Sequence, residues 1–315
     1  MSEINAASTI RYGKGHVTIY RTYARPLTVA RRVPESEFSG RANILFAVDV
    51  DVHVYGDNFL PAYTEGDNSE VVATDTMKNF IHAQALTYDG STLEGFLAFL
   101  GRQFLQTYPQ MQALKLEGRE QPFVAARVPS KADGEGFADS TVLFGRRHDD
   151  HATATIEMTR EGGAAVVTGH SCGHVGLELI KVTGSSFISF LRDAHTTLPE
   201  RVDRPLFIYL DLHWTYQDVR DALELDREAY VPAEQVRDVV QVVFHQFNSK
   251  SIQHLVHEMG TRLLERFPEL ATVSFEAQNR LWDTGAASEA DEKIKVYCDP
   301  RPPYGMIYLT LSRGE

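Results

Sequence analysis

The amino-acid sequence predicts an α+β protein made of two similar domains, each an antiparallel β-sheet with helices on one of its faces. Residues 48–54 alternate strictly between valine and polar side chains, which is typical of an antiparallel strand with one buried face. We expect its acidic face to be a solvated sheet face rather than a set of metal ligands. Residues 96–105 instead carry apolar side chains at helical spacing. The second half of the chain then repeats the order of strands, helices and strands, although we recognise no repeated sequence in it.

The domain limits follow from length and charge. A chain of 315 residues is long enough for two domains of ordinary size. The charged connection at residues 146–151 is the candidate boundary between them. We therefore expect one domain over residues 10–150 and a second over 151–315.

The elements of the first domain can be assigned in chain order. Thr74-Asp75 follows a β-branched pair, and we expect it to cap a helix that starts near Thr76. Ser91-Thr92-Leu93-Glu94 has the form of a capping box for a second helix, which should end at Tyr108-Pro109. Strands are predicted at residues 16–21, 48–54, 111–118 and 140–144.

The second domain follows the same plan. Glu161-Gly162-Gly163 predicts a hairpin turn, and residues 186–194 read as a short helical piece. Pro232 suits the first turn of a helix that runs to about Phe247, and a further helix should end by Pro268. Strands are predicted at residues 153–159, 164–168, 205–214, 272–280, 293–298 and 306–311. The strand at 205–214 alternates, with Ile208, Leu210 and Leu212 on one face.

Composition excludes several classes of function. The formal net charge of −12 argues against a nucleic-acid surface, which needs a basic stripe. No segment is apolar for long enough to span a bilayer, and the N-terminus has neither the basic nor the apolar region of a signal peptide. Two cysteines give no disulfide framework. A cytoplasmic protein is the expectation.

Two stretches carry candidate chemistry. The helix start at Thr74-Asp75 would bring together a hydroxyl, a carboxylate and backbone N–H groups that suit an anionic ligand, although an ordinary capped turn explains the same residues. The run from His170 to His174, with Cys172 between them, has the residue types of a zinc site, but the sequence places no fourth ligand. We therefore predict no metal, and zinc stays an alternative.

Several separated stretches resemble the urate oxidase (uricase) family, and they occur in the expected order along nearly the whole chain. They are Tyr12-Gly13-Lys14, Tyr63 to Ser69, Val72 to Asn79, Ser186 to Asp193, Thr196 to Glu200 with Asp203-Arg204, Ile252-Gln253 and Gln278-Asn279-Arg280. The combination of Thr-Asp-x-x-Lys-Asn with Leu-Pro-Glu-x-x-Asp-Arg is specific, whereas either motif alone would be weak. The resemblance implies two tandem tunnelling-fold (T-fold) domains.

The resemblance also implies the residues that bind urate, a planar anionic purine. Arg204 matches the guanidinium clamp, Gln253 the amide at the opposite edge of the ring, and Phe187 the aromatic ring that stacks on the purine. Ile252 would offer a backbone N–H and Leu198 an apolar wall. The backbone of Thr74 and Asp75 would meet the purine from the neighbouring subunit.

The reaction implied by the resemblance needs no cofactor, because a urate dianion can give an electron to dioxygen directly. Lys14 and Thr74 match the proton relay, and Asn279 matches the residue that holds dioxygen and then water. The products would be 5-hydroxyisourate and hydrogen peroxide. One departure concerns the relay, since Leu281 stands where many family members carry a histidine.

The family architecture implies a homotetramer whose active sites lie between subunits, because the sheets of a single chain leave strand edges to be covered. Two other readings stay open. Leu281 is consistent with an oligomer that binds purines without oxidising them, and the residues His170, Cys172 and His174 with a zinc-dependent T-fold enzyme of pterin metabolism.

Overall fold

The computed structural model describes residues 10–29, 31–130, 136–146, 148–224 and 228–314. The chain divides into two compact units. The first comprises Met1–Val29, Gly40–Cys172 and Ala222–Arg227, and the second Ala30–Ser39, Gly173–Asp221 and Glu228–Glu315. The proposed repeat limits, 10–150 and 151–315, stay a prediction.

The first unit is a twisted antiparallel sheet with two long helices, and its main strands lie in the order β1-β4-β5-β8-β9. Its strands are β1 (Arg11–Thr22), β2 (Leu27–Thr28), β3 (Gly40–Arg41), β4 (Leu45–Tyr55), β5 (Ala113–Glu120), β6 (Phe123–Pro129), β7 (Phe137–Arg146), β8 (His151–Glu161) and the first part of β9 (Ala164–Lys181). Its helices are a 3₁₀ turn (Asp57–Phe59), α1 (Leu60–Thr64), α2 (Thr74–Thr87) and α3 (Leu93–Thr107). β2 pairs with β3 and β6 with β7, each pair forming a separate small sheet.

The core of the first unit lies between the sheet and helices α2 and α3. The alternation in β4 is confirmed, because Val48, Val50, Val52 and Val54 are all completely buried. The apolar residues of α3 are buried against the same cluster. At about 25 cal/mol per Å² of apolar surface removed from water, this burial is the main favourable contribution to folding.

The second unit repeats the arrangement with strands in the order β9-β10-β11-β14. Its further elements are β10 (Leu206–Tyr216), α4 (Arg220–Leu223, which ends in the first unit), α5 (Ala233–Gln246), α6 (Ile252–Arg266), β11 (Leu270–Asn279), β12 (Thr284–Ala287), β13 (Lys295–Tyr297) and β14 (Gly305–Ser312). β12 and β13 form a separate two-stranded hairpin. The predicted alternation of β10 is confirmed, since every second residue from Leu206 to Tyr216 is buried.

Three predicted helix starts differ from the structure. α2 begins at Thr74 rather than near Thr76, and its N-cap, Ala73, contributes no side-chain hydrogen bond. Thr92 rather than Ser91 caps α3, because its hydroxyl accepts the N–H of Gly95 at 3.2 Å. Pro232 is the N-cap of α5 and so precedes the first turn.

The helical piece predicted at residues 186–194 is wrong. Phe187 instead forms an isolated antiparallel bridge with Arg201, and Ser189 has a left-handed φ of 59°. Arg201, fourteen positions along the chain, thus forms the backbone hydrogen bonds of Phe187 that a local helix would have formed instead. The segment forms a folded-back loop.

Both units end their second long helix with the same arginine clamp. Leu105-Gln106-Thr107-Tyr108-Pro109 ends α3 and Leu264-Glu265-Arg266-Phe267-Pro268 ends α6, so a short sequence motif does repeat. Arg160 donates to the carbonyls of Leu105, Tyr108 and Met111, and Arg313 donates to those of Leu264, Phe267 and Leu270. Carbonyls at a helix C-terminus lack helical partners and carry partial negative charge, which a guanidinium satisfies.

In the described parts of the chain, no helix combines the length and the apolar character that crossing a membrane would require.

The paired clamps predict matched losses of stability. Replacing Arg160 or Arg313 by Met removes charged hydrogen bonds to buried carbonyls, and each change should lower the free energy of unfolding by about 1.5–3 kcal/mol. Urea titration followed by circular dichroism measures this. Arg127→Met is the control, since that exposed arginine pairs only within the β6–β7 hairpin. Clamp variants as stable as the control would contradict the assignment.

Candidate functional site

Lys14 is held on β1 by a close backbone approach. It pairs with Val52 of β4 and is half-buried. A Cβ atom on the preceding Gly13 would lie 1.8 Å from the carbonyl oxygen of Val52, so only glycine fits there. Gly13 therefore fixes the backbone that carries Lys14.

Thr74 and Asp75 form the first turn of α2, where both side chains are exposed. The Asp75 carboxylate binds Lys78 Nζ at 2.5 Å and Asn79 Nδ2 at 3.2 Å. The pKa of Asp75 is lowered first by Lys78 and then also by Asn79 and Lys14, so the charge of Lys14 acts on this helix start. The first N–H groups of a helix have no helical acceptor, and Ala73 supplies no side-chain cap, which leaves a place for an anion or a carbonyl oxygen.

In the second unit, the loop that replaces the predicted helix brings Phe187 and Arg204 together. Phe187 exchanges two backbone hydrogen bonds with Arg201, at 2.8 and 2.9 Å, and the N–H of Arg204 donates to Ser185 at 2.8 Å. The Arg204 guanidinium carbon lies 5.5 Å from the centroid of the Phe187 ring. The cation therefore lies over the aromatic ring, so a charged fork and an apolar surface for a flat anion occur in one place.

Arg204 is half-buried, and its buried Nε has no hydrogen-bond partner among the described residues. Burial, and then the neighbouring Arg201, lower its pKa. An unsatisfied buried donor is costly, and it marks a place where a ligand acceptor would be stabilising.

Asp203 holds this loop, and our sequence interpretation gave it no role. Its carboxylate accepts the Thr183 hydroxyl at 2.6 Å and the Gly184 N–H at 2.7 Å, and these bonds lower its pKa. The backbone N–H groups of Ser185 and Arg204 act in the same direction. Aspartate favours loops, and Asp203 directly precedes Arg204. This was the sequence feature that could have indicated its role.

The same loop is fastened to the start of α6. Ser186 donates its N–H to the carbonyl of Ser249 at 2.8 Å and its hydroxyl to the same oxygen at 3.1 Å. Ser251 then caps α6 by accepting the His254 N–H. Ile252, which is buried, and Gln253, whose side chain is exposed, therefore occupy the first turn of a helix that is tied to the Arg204 loop.

Asn279 ends β11, where it pairs with Ile208 of β10 and Gly305 of β14. Its Oδ1 is buried and has no hydrogen-bond partner within the described chain. On the following residue, the Arg280 guanidinium lies 3.9 Å from the ring centroid of Tyr209 and 3.6 Å from that of Tyr304. This stack fixes the strand end that carries Asn279.

Two predicted positions lie at the margin of this set. Leu198 is 39% exposed, and its carbonyl accepts from Arg192. Leu281 is 50% exposed and follows the Asn279 strand end. The role of Leu198 as an apolar wall stays a prediction.

The run His170, Cys172 and His174 lies on β9. Cys172 is buried, and burial together with Glu94 raises the pKa of its thiol well above the ordinary value. Burial also lowers the pKa of His170. A thiol kept protonated is a poor zinc ligand, since the thiolate is the binding form. Among the residues that the structure describes, no three His, Cys, Asp or Glu side chains are grouped to hold a metal.

The acidic face of β4 was predicted to be a solvated sheet face, and this is wrong. Asp49 is buried, and Nη2 of Arg119 bridges it to Asp51 at 3.1 and 3.0 Å. The two carboxylates thus belong to an ion-pair network on the sheet.

The fold defines a class of protein, the tandem T-fold chains. The polar groups at Arg204 and at the start of α2 suit a flat anionic ligand. The uricase family profile matches residues 10–157 and 170–308. The chain is 48% identical to a uricase of Haloferax volcanii, over 97% of this chain and 99% of that protein. It is 43% identical to the uric acid degradation bifunctional protein PucL of Bacillus subtilis over 99% of this chain, which spans 63% of that protein's length.

Solved structures agree. A crystal structure of urate oxidase from Bacillus sp. TB-90 matches with a TM-score of 0.92 and 44% identity, over 97% of this chain and 100% of the other. The chain belongs to the uricase family, and its T-fold architecture is confirmed.

The Asp203 contacts predict a local pH dependence. Because the pKa of Asp203 lies below the ordinary carboxyl value of about 3.9, its stabilisation of the loop is present above that value and is lost as the pH falls through the lowered pKa. Asp203→Asn should remove this dependence and speed amide exchange of Gly184 and Arg204 at neutral pH. Hydrogen–deuterium exchange, corrected for intrinsic rates, measures both effects.

Asp193→Asn is the matched control, since Asp193 binds only within its own turn, to His195 and Thr196. Equal exchange in the Asp203 and Asp193 variants would count against the role of Asp203.

Proposed function

We propose that this chain oxidises urate with dioxygen and water, releasing 5-hydroxyisourate and hydrogen peroxide. The family match across both units carries the proposal, because it includes the segments of Lys14, Thr74, Arg204 and Asn279. The names of the relatives, uricase and urate oxidase, support the same substrate.

Urate binding is assigned to the second unit. Phe187 would stack on the purine face while the Arg204 fork binds one edge of the ring, which also satisfies the buried Nε. Gln253 would pair with the opposite edge through its amide, and Ile252 would donate a backbone N–H. Leu198 would close the apolar side.

The chemical step is electron transfer from bound urate to dioxygen. Overall, two electrons leave the purine, water adds to its ring, and dioxygen is reduced to hydrogen peroxide. Asn279 would hold dioxygen and later water through its buried amide, whose Oδ1 lacks a protein partner in the described chain. The reaction is proposed to need no cofactor.

Proton transfer is assigned to Lys14 and Thr74. Lys14 is half-buried and its charge acts on Asp75 in the first turn of α2, which supports a role for its amine beside the Thr74 hydroxyl. Leu281 cannot transfer protons, so the relay of this chain has no histidine at that position.

We also propose a cytoplasmic homotetramer with sites shared between subunits. Lys14, Thr74 and Asp75 belong to the first unit, and Phe187, Arg204, Gln253 and Asn279 to the second. Strands β1 and β14 are the outermost strands of their units and need a partner. Tandem domains over 10–150 and 151–315 would supply the two halves of each site.

Turnover in metal-free buffer tests the proposed function. Purified protein dialysed against chelator should remove the urate absorbance while releasing hydrogen peroxide, and should contain no stoichiometric zinc. Urate bound without loss of absorbance would identify the alternative, a purine-binding oligomer. Activity lost with chelation and restored by zinc would overturn the cofactor-free assignment.

Mixed oligomers test the shared site. Arg204→Ala should raise the dissociation constant for urate at least about 100-fold, because two charge-assisted hydrogen bonds are lost. Thr74→Ala should lower kcat instead. Co-expressing the two variants should restore activity, because some sites then contain both intact residues.

Arg127→Ala is the control, since Arg127 is an exposed arginine of the β6–β7 pair and is not assigned to the site. No recovered activity in verified mixed tetramers would count against sharing.

A further inference from the structure

A β-bulge in β1 determines where Lys14 points. Lys14 pairs with Val52 and Val17 pairs with Val50, so three steps along β1 match two along β4. One extra residue is therefore inserted between Lys14 and Val17, which is the definition of a bulge.

Because of the inserted residue, Lys14 and Val17 lie on the same face of the sheet. Paired residues of an antiparallel ladder share a face, and Val50 and Val52 are both buried on the helix side. Lys14 and Val17 must then both face α2, although they are an odd number of residues apart. In a regular strand, side chains alternate, so one of the two would turn away.

A carboxylate on the neighbouring strand holds the bulge. His16 has a left-handed φ of 55°, and its backbone N–H donates to Oδ1 of Asp51 at 2.5 Å. Nη2 of Arg119 binds the other oxygen of Asp51 at 3.0 Å. Burial would raise the pKa of Asp51, but the His16 N–H and Arg119 together lower it, so the acceptor stays charged.

We propose that Asp51 is a positioning residue for urate oxidation, because it holds the β1 bulge that turns Lys14 toward the start of α2. This inference rests on the proposed function. Among the described residues, the hydrogen-bond partners of Asp51 are His16 and Arg119, neither of which is assigned to urate, so Asp51 is proposed to act through the backbone that carries Lys14.

The second unit contains a similar hydrogen bond from a strand N–H to a carboxylate, but without a lysine beside it. Gly176 of β9 has a φ of 78°, and its N–H donates to Oδ1 of Asp211 on β10 at 2.6 Å. Gly173-His174 precedes it as Gly13-Lys14 precedes His16. Asp211 therefore gives a matched control: the same bond from a backbone N–H of positive φ to a carboxylate, on a strand where histidine replaces the relay lysine.

The test compares Asp51→Asn with Asp211→Asn in the assembled enzyme. Asp51→Asn should lower kcat about tenfold or more while the KM for urate stays within twofold, because displacing a catalytic group by about 1 Å costs up to 100-fold in rate. Asp211→Asn should change neither constant by more than twofold. Unchanged kcat in Asp51→Asn would overturn the proposal.

A double-mutant cycle separates positioning from general damage. In a Lys14→Met background, adding Asp51→Asn should lower the residual kcat no further, since its only route is through Lys14. A full additional loss there would overturn the proposal. His16→Gly should keep kcat within twofold, because it retains the backbone donor, whereas a tenfold loss would assign the effect to the imidazole instead.

Two further measurements separate failure of this inference from failure of the proposed function. If Asp51→Asn does not assemble, Arg119→Gln carries the test: lowered kcat with unchanged KM supports the proposal, and unchanged kcat overturns it. Absence of urate turnover by the unmodified enzyme would instead remove the proposed function, whereas active wild type with fully active Asp51→Asn removes only this inference.

Discussion

The candidate site depends on a half-buried arginine with one unsatisfied, buried hydrogen-bond donor. Arg204 sits over Phe187, its Nε lacks a partner among the described residues, and burial lowers its pKa. An unsatisfied buried donor costs about 1–3 kcal/mol, and an anionic ligand offsets that cost when it binds. The Asp203 hydrogen bonds and the pairing of Ser186 with Ser249 hold this arginine in place before a ligand binds. Binding therefore does not incur the entropy cost of ordering the loop.

The two units show how one plan supplies different chemistry. The arginine clamps at the ends of α3 and α6 recur at corresponding places, as do the carboxylates that accept the N–H of His16 in β1 and of Gly176 in β9. Two residues before these N–H groups, one unit carries Lys14 and the other His174. The repeated contacts thus maintain the fold, while the residues that differ between repeats supply the candidate site.

Local patterns predicted the regular elements well. The alternation of β4 and β10 and the helical spacing of α3 and α6 follow directly from burial on one face, and the structure confirms them. The site residues came from the family resemblance, because no local rule distinguishes Arg204 from a surface arginine. The structure tests their placement, and their roles stay predictions.

The failures have a common physical cause, which is a partner distant in sequence. The loop at residues 186–194 was predicted helical because its pairing with Arg201 cannot be read locally. The acidic face of β4 was predicted to be solvated because Arg119 lies some seventy residues away. Gly13 indicates a close backbone approach in β1, but the position of the bulge follows only from the register of β1 with β4.

The most direct test of the central claim is a crystal structure of the protein with urate bound under anaerobic conditions. The account predicts urate stacked on Phe187, with the Arg204 fork at one edge, Gln253 at the opposite edge and the start of α2 from a neighbouring protomer closing the site. Urate bound elsewhere, or an Arg204 side chain that makes no contact with it, would contradict the account.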